Sequence, residues 1–490
     1  MGIIHISSFL SYCFLALCLL CSLEKAFALQ RKDLKETPSS QHTHTVQLSS
    51  LLPSSICSPS SSVAKDKGAS LKVIHKYGPC SQLHRDDGDH TKSIVRQDQA
   101  RVDWINSRLF KKSVPAATVA SNGTRYEQDA TTLPAKPGQV LGTGNYIVTV
   151  GLGTPKEDLS LAFDTGSDLT WTQCQPCAKS CYSQSEAIFD PSKSTSYSNV
   201  SCASTDCSQL KSDPGCIEET STCTYGVRYG DGSYTEGYFS KDRLTLTQSD
   251  VIDNFLFGCG QNNGGLFRGA AGLLGLGRNE VSIVEQAADK YNRLFSYCLP
   301  STTSSTGYLT FGDSGGGGGS VQYTPLITLS RSASFYALNL FGISVGGRQL
   351  EIPPTAFQSG TIIDSGTVIT RLPAAVYSAL RLEFRTEMSG YPLVSTDVEL
   401  FDTCYDLSGS GRTVEFPKIA FSLAGGATVD LVPSGIMYDL SDSQGTFCLA
   451  FAGNNDERQL TIFGNVQQKT FQVVYDVGGA RVGFGPGGCS

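Results

Sequence analysis

Two short runs of this sequence bring together the residue types needed to activate a water molecule. Leu161 to Trp171 reads LAFDTGSDLTW, and Gly360 to Leu372 reads GTIIDSGTVITRL. In each, an apolar stretch ends in an aspartate (Asp164, Asp364), followed by a hydroxyl residue (Thr165, Ser365), a glycine (Gly166, Gly366) and a second hydroxyl residue (Ser167, Thr367). Water is a poor nucleophile and an amide carbonyl a poor electrophile, so hydrolysis needs one group to take a proton while another gives one. Two carboxyls about 3 Å apart would repel by roughly 5 kcal/mol at an effective dielectric near 20, about four pK units. They therefore share one proton over a broad acid range, and the pKa values belong to the pair. The chemistry expected is acid-shifted, with no metal, no cofactor and no covalent intermediate. The glycines permit a tight turn that aims backbone N–H groups at the carboxylates. Ser167 and Thr367 can offer hydroxyls to the outer oxygens, and Thr165 and Ser365 can cross-link the two loops from below.

A third Asp-Ser-Gly at Asp313-Ser314-Gly315 warns against reading the triplet alone. It follows Gly312 and runs into SGGGGGS (Ser314 to Ser320), so it is expected to be a loop. A strand-end Asx turn would explain any single triplet. The two matched triplets belong to a weak internal repeat: AGLLGLG (Ala271 to Gly277) answers LTIFGNV (Leu460 to Val466), about 100 residues after each aspartate. Two copies of one lobe, each giving half of a site, account for that order.

The elements that must position the pair are strands. The chain has 490 residues, too many for one ordinary core, with 51 glycines and 20 prolines and a charged fraction of 17%. NYIVTVGLGTP puts Tyr146, Val148, Val150 and Leu152 on one face at period two, and short strands with glycine-containing turns follow. Helices are expected only near Ile283 to Tyr291 and Ala374 to Met388 in this part of the chain. The fold class expected is all-β and bilobal, with the site in the cleft between lobes 141–325 and 326–490.

Ahead of them stand an apolar run with a small-x-small end, read as a signal peptide over 1–28, and a leader over 29–140. The leader carries 16 Lys+Arg against 10 Asp+Glu, a net of +6, whereas residues 141–490 carry 21 against 34, a net of −13. Residues 29 to about 70 read as loosely structured. LKVIHKYGPCSQL (Leu71 to Leu83) reads as a strand and turn, Ser93 to Leu109 as a helix with Val95, Val102, Ile105 and Leu109 on one stripe, and Lys111 to Gly142 as a cleavable linker. The basic leader should cover the acidic cleft, with a lysine such as Lys76 near the pair.

All six histidines lie in the first 90 residues. A body freed of its leader therefore has no Ser-His-Asp triad, Cys-His pair or H-E-x-x-H zinc site. Twelve cysteines lie in the body: Cys174, Cys177, Cys181, Cys202, Cys207, Cys216, Cys223, Cys259, Cys298, Cys404, Cys448 and Cys489. In an exported protein an even dozen implies up to six disulfides of unreadable connectivity. The competing reading is zinc at Cys174, Cys177 and Cys181. Asn122-Gly-Thr and Asn199-Val-Ser are glycosylation candidates.

DTGS and DSGT in two β lobes resemble the signature of the pepsin family of aspartic proteases. The cysteine-rich insert from Cys174 to Cys223 resembles its plant nepenthesin-like branch, and the leader is similar to that of chloroplast-nucleoid DNA-binding proteases and their apoplastic, defence-associated relatives. The resemblance implies peptide or protein substrates, with the leader as an internal partner and the chain a monomer; the apolar signal segment favours secretion to the apoplast over a vacuole or plastid. It also implies that YGDGS (Tyr229 to Ser233) is a flap, with Tyr229 hydrogen-bonded to Trp171 and Gly230 and Asp231 touching the substrate backbone. Two other readings stand beside it. DNA binding is disfavoured because the −13 body repels phosphate. A non-catalytic binder, as in plant xylanase inhibitors of this branch, is disfavoured because both aspartates are kept.

Overall fold

The computed structural model describes residues 42–59, 69–83, 90–110 and 146–489, apart from 211–214, 230–231, 266, 268, 314–319, 331, 354, 412 and 441–444. The signal-like segment, the linker, Asn122, Gly230 and Asp231 lie outside the described residues.

The period-two run becomes strand β3 (Tyr146–Leu152), with β1 (Thr43–Gln47) and β2 (Ala69–His75) before it and β4 (Glu157–Asp164) after it. In β3 both faces are buried, Ile147 as well as Val148. The reason is its place inside a sheet of fifteen strands, between β2 and β4. That sheet continues through Thr306–Phe311 and Leu294–Cys298 to the chain's final strands, Gln472–Asp476 and Arg481–Gly485. One sheet thus ties the two halves together. Beneath the site Phe295 stacks on Tyr475 at 4.5 Å, and Tyr336 meets Tyr475 edge-on at 4.5 Å.

The sequence repeat has a structural counterpart. In the first half β4 pairs in parallel with Gly272–Gly275, which pairs antiparallel with Trp171–Gln173. In the second half Thr361–Ile363 pairs in parallel with Thr461–Phe463, which pairs antiparallel with Thr370–Leu372. The strand behind each aspartate is thereby clamped by the apolar-apolar-Gly segment that answers it. Asp313 of the third triplet is set differently: it follows the strand Thr306–Phe311, which pairs antiparallel on both sides, and its carbonyl accepts from Ser296.

The expected helices form at Ile283–Gln286, Ala288–Tyr291 and Ala374–Glu387, the last burying Val376, Tyr377, Leu380 and Phe384. Helix α1 (His90–Phe110) covers the stretch read as helical in the N-terminal segment.

Residues 43–47 differ from expectation. They form β1, antiparallel to Thr413–Pro417 of the second half, with His44 Nε2 3.1 Å from the Leu431 carbonyl. Burial there reaches only Val46, so the strand is made by its distant partner and leaves no periodic trace in the sequence.

All twelve body cysteines pair, as Cys174–Cys259, Cys177–Cys181, Cys202–Cys216, Cys207–Cys223, Cys298–Cys489 and Cys404–Cys448. Cys57 joins Cys80. The three cysteines weighed as zinc ligands are thus committed to two separate disulfides. Asn199 is exposed in a two-residue strand, its Oδ1 accepting from Tyr197.

Candidate active site

Asp164 ends β4, and Asp364 directly follows Thr361–Ile363; each is held by the partner strand of its own half. The Leu276 N–H donates to the Asp164 carbonyl at 2.9 Å, and the Asp364 N–H donates to the Phe463 carbonyl at 3.1 Å. The turns that follow meet face to face. The Thr165 N–H donates to Ser365 Oγ at 3.1 Å, the Ser365 N–H donates to Thr165 Oγ1 at 2.9 Å, and the two hydroxyls are 3.3 Å apart. This cross-link matches the expectation from sequence and fixes both carboxyls in one small volume.

The glycine N–H groups also fall as expected, Gly166 on Asp164 Oδ1 at 2.9 Å and Gly366 on Asp364 Oδ1 at 3.1 Å. Close approach makes glycine necessary. A Cβ on Gly366 would sit 2.5 Å from Asp164 Oδ1, and one on Gly166 would sit 2.7 Å from Asp364 Oδ1.

The outer hydroxyls depart from the symmetric expectation. Thr367 Oγ1 donates to Asp364 Oδ2 at 2.5 Å, whereas Ser167 Oγ is buried without a partner among the described residues. Arg101 bonds both oxygens of each aspartate, so its presence does not account for this asymmetry.

Arg101 is the residue that the sequence reading missed. It projects from α1 between the carboxyls and makes four hydrogen bonds: Nε to Asp364 Oδ2 (2.8 Å), Nη1 to Asp164 Oδ2 (3.1 Å), and Nη2 to Asp164 Oδ1 (2.6 Å) and Asp364 Oδ1 (2.8 Å). It is 3% exposed, and the aspartates 1% and 0%. The cation expected near the pair was Lys76, but that buried ammonium lies 5.0 Å from the Tyr77 ring centroid instead. A planar fork can bond two carboxylates at once, which an ammonium cannot. A signal was present in the sequence: Asp98 and Arg101 fall on the same stripe of α1 as Ile94, Val102 and Ile105, and charges on an apolar stripe need buried partners.

The two aspartates respond differently. Burial is the strongest influence on both and raises a carboxyl. At Asp164, the Asp364 charge adds to burial and together they outweigh Arg101, so its pKa is raised. At Asp364 the Arg101 guanidinium, helped by hydrogen bonds from Arg101, Thr367 and Gly366, overcomes burial and lowers it.

The rest of α1 lies along the cleft. Val102, Ile105 and Leu109 pack on Phe335, Ala337, Ile362 and Ile462, while Ile94 and Val95 pack on Val368, Ile369, Val398 and Phe401. Asn106 Oδ1 accepts from the Leu460 N–H at 3.0 Å. Asp98 accepts from the Val368 and Ile369 N–H groups and pairs with Arg371 at 3.0 Å. Burial raises the Asp98 pKa, against the pull of Arg371 and the two amides.

On the other wall, Trp171 Nε1 donates to the Tyr229 hydroxyl at 2.8 Å, as the resemblance implied. Tyr229 ends a hairpin in which its N–H donates to the Ser233 carbonyl and Gly232 adopts φ +79°. Phe267 meets Trp171 and Tyr229 edge-on at 4.7 and 5.7 Å, and Trp104 of α1 lies 6.4 Å from Tyr229.

Comparison with known proteins agrees with this geometry. The family model Xylanase inhibitor N-terminal matches residues 146–313, and Xylanase inhibitor C-terminal matches 335–486. An aspartyl protease family protein of Arabidopsis thaliana is 55% identical over 458 residues, covering 91% of this chain and 93% of its own. Aspartyl protease AED1 of the same plant is 52% identical over 450 residues, covering 91% and 92%. Aspartic proteinase nepenthesin-2 of Nepenthes gracilis is 39% identical over 358 residues, covering 71% and 78%. Among solved structures, edgp gives a TM-score of 0.55 at 20% identity, covering 70% of this chain and 91% of its own. Basic 7S globulin from soybean gives 0.54 at 22% identity, covering 70% and 93%, and these two likenesses speak to the bilobal β fold. Similarity this high, sustained over nine-tenths of the chain, makes it a member of the aspartyl protease family and an aspartic-type endopeptidase.

Proposed function

We propose that Asp164 and Asp364 hold and activate the water that attacks the peptide carbonyl, in an enzyme made as an exported zymogen and active in acid. The observation that carries this reading is the Arg101 fork: one nitrogen reaches both carboxylates, at 2.6 and 2.8 Å, so a single water in its place could be held by both. With Arg101 gone, the carboxyls face each other across two glycine turns and cannot both stay charged, so one proton is shared. The ionised member takes a proton from the water while the protonated member gives one to the carbonyl oxygen. Asp364, with the additional Thr367 donor, is the member better suited to carry the charge. Tyr229 and Trp171 would form the wall that closes over the substrate, and the family resemblance assigns Gly230 and Asp231 to contact with its backbone.

Residues 1–28 are read as a signal peptide and 29–140 as the leader, ahead of lobes 141–325 and 326–490. The apolar start of the chain and seven disulfides support export to the apoplast of a monomeric enzyme, with Asn122 and Asn199 as glycan sites. Among the described residues no helix is long and apolar enough to cross a membrane. Hydrolysis of a denatured protein, followed from pH 2 to 8 with and without a statine-type inhibitor, tests the reading. A profile highest between about pH 3 and 6 and abolished by the inhibitor is expected. Activity that peaks near neutrality, or that the inhibitor leaves untouched, would refute it.

A further inference from the structure

Arg371 is 1% exposed, yet its charge is satisfied mainly from α1. Its Nη2 pairs with Asp98 Oδ2 at 3.0 Å and lies 3.3 Å from Gln99 Oε1, both on the helix. Its one bond to the body is Nη1 to the Ile369 carbonyl at 2.7 Å, and its Nε finds no acceptor among the described residues. No carboxylate of the body pairs with it there. The Asp98 carboxylate also takes the N–H groups of Val368 and Ile369, so three body donors converge on one anionic group in apolar surroundings. When α1 leaves, those donors face the cleft without an acceptor, and a buried guanidinium without a counter-charge is costly.

We propose that this receptor, Arg371 with the amides of Val368 and Ile369, is a substrate subsite for an acidic side chain, and that Asp98 occupies it until the leader departs. The inference rests on the reading of the chain as a protease freed of its leader. Asp98 and Arg101 are three residues apart on a helix, about 4.5 Å along its axis. An extended substrate advances about 3.3 Å per residue, so the acidic side chain belongs within a few residues of the scissile bond. A carboxylate with a guanidinium partner makes charge-assisted hydrogen bonds, which an amide of the same shape cannot match.

The test uses the full-length chain cut within residues 111–145 by a site-specific endopeptidase and freed of its leader in acid. A peptide with one cleavable bond is varied by walking Glu, then Gln, through the four positions on each side. At one position Glu should exceed Gln in kcat/KM by about tenfold. Arg371→Gln should bring the ratio close to one. Equal rates for Glu and Gln at every position would overturn the subsite while leaving the protease reading intact. If no peptide is cut, that reading fails, and fluorescence polarisation with the same Glu and Gln peptides decides the subsite alone: tighter Glu binding lost in Arg371→Gln supports it, and equal binding overturns it.

Discussion

Asp164 and Asp364 are matched in sequence but not in surroundings, and the difference lies in one hydroxyl. Thr367 donates to Asp364, whereas the Ser167 hydroxyl finds no partner among the described residues. A donor to the charged form lowers a carboxyl pKa. Thr367→Ala should therefore raise the lower of the two pKa values and move the acid limb of kcat/KM upward by about one pH unit. An unchanged acid limb in the pH–rate profile would mean that the hydroxyl does not tune the pair. Thr165 and Ser365 form the cross-link below, and replacing either by alanine leaves a buried N–H or hydroxyl unpaired. A loss of about 1–3 kcal/mol in unfolding free energy is expected, measured by denaturant titration. The aspartates, glycines and hydroxyls were all legible in the sequence because their types and order are tied to the turn that holds them. The different bonding of Ser167 Oγ was not, since its triplet reads like that of Thr367.

At the scale of elements, α1 lies in the cleft and places Arg101 on the pair. Its hold on the cleft depends on pH through three carboxyls whose shifts differ in sign. Arg101 holds the Asp364 carboxyl low, so its contribution to docking is complete while that carboxylate is ionised and is lost as pH falls through the lowered value. Asp164 and Asp98 are raised, so with α1 docked they take up protons already above the ordinary carboxylate value of 3.8. For Asp98, solvated once α1 leaves, protonation favours the docked state; for Asp164 it favours release, because Arg101 pulls its pKa down only while docked and the pair takes up a proton when Arg101 goes. The leader of a chain cut within residues 111–145 should accordingly stay bound at pH 7 and 5.5 and dissociate below about pH 4. Size-exclusion chromatography at those pH values checks it; dissociation at pH 5.5 would show that groups other than the pair govern release. Arg101→Met should move release to higher pH, since the pair then loses its buried counter-charge. The stripe of α1 was legible from its spacing, and the charges of Asp98 and Arg101 on it signal buried partners, but which groups those partners are shows only when the helix is seen inside the cleft. Strand β1 was illegible for a related reason: its partner, Thr413–Pro417, lies some 370 residues away.

For the whole molecule, the N-terminal segment is built into the fold as well as laid over it. Strand β2 lies between Thr306–Phe311 and β3, inside the sheet that joins the two halves. Yet no disulfide among the described residues crosses from this segment to the body, because Cys57 pairs with Cys80. Once the linker is cut, a non-reducing denaturing gel should separate the two pieces, while a neutral native separation keeps them together. Co-migration on the denaturing gel would reveal a covalent link. The twofold plan of the body was legible because each aspartate and the segment that clamps it recur in the same order. The most direct test of the account is the rate at which the chain, freed of its leader, hydrolyses a denatured protein at pH 4, compared with Asp164→Asn and Asp364→Asn. Each substitution should lower kcat by about 10⁴-fold or more while circular dichroism shows an intact fold. Activity within tenfold of the parent in either variant would contradict the assignment of the pair.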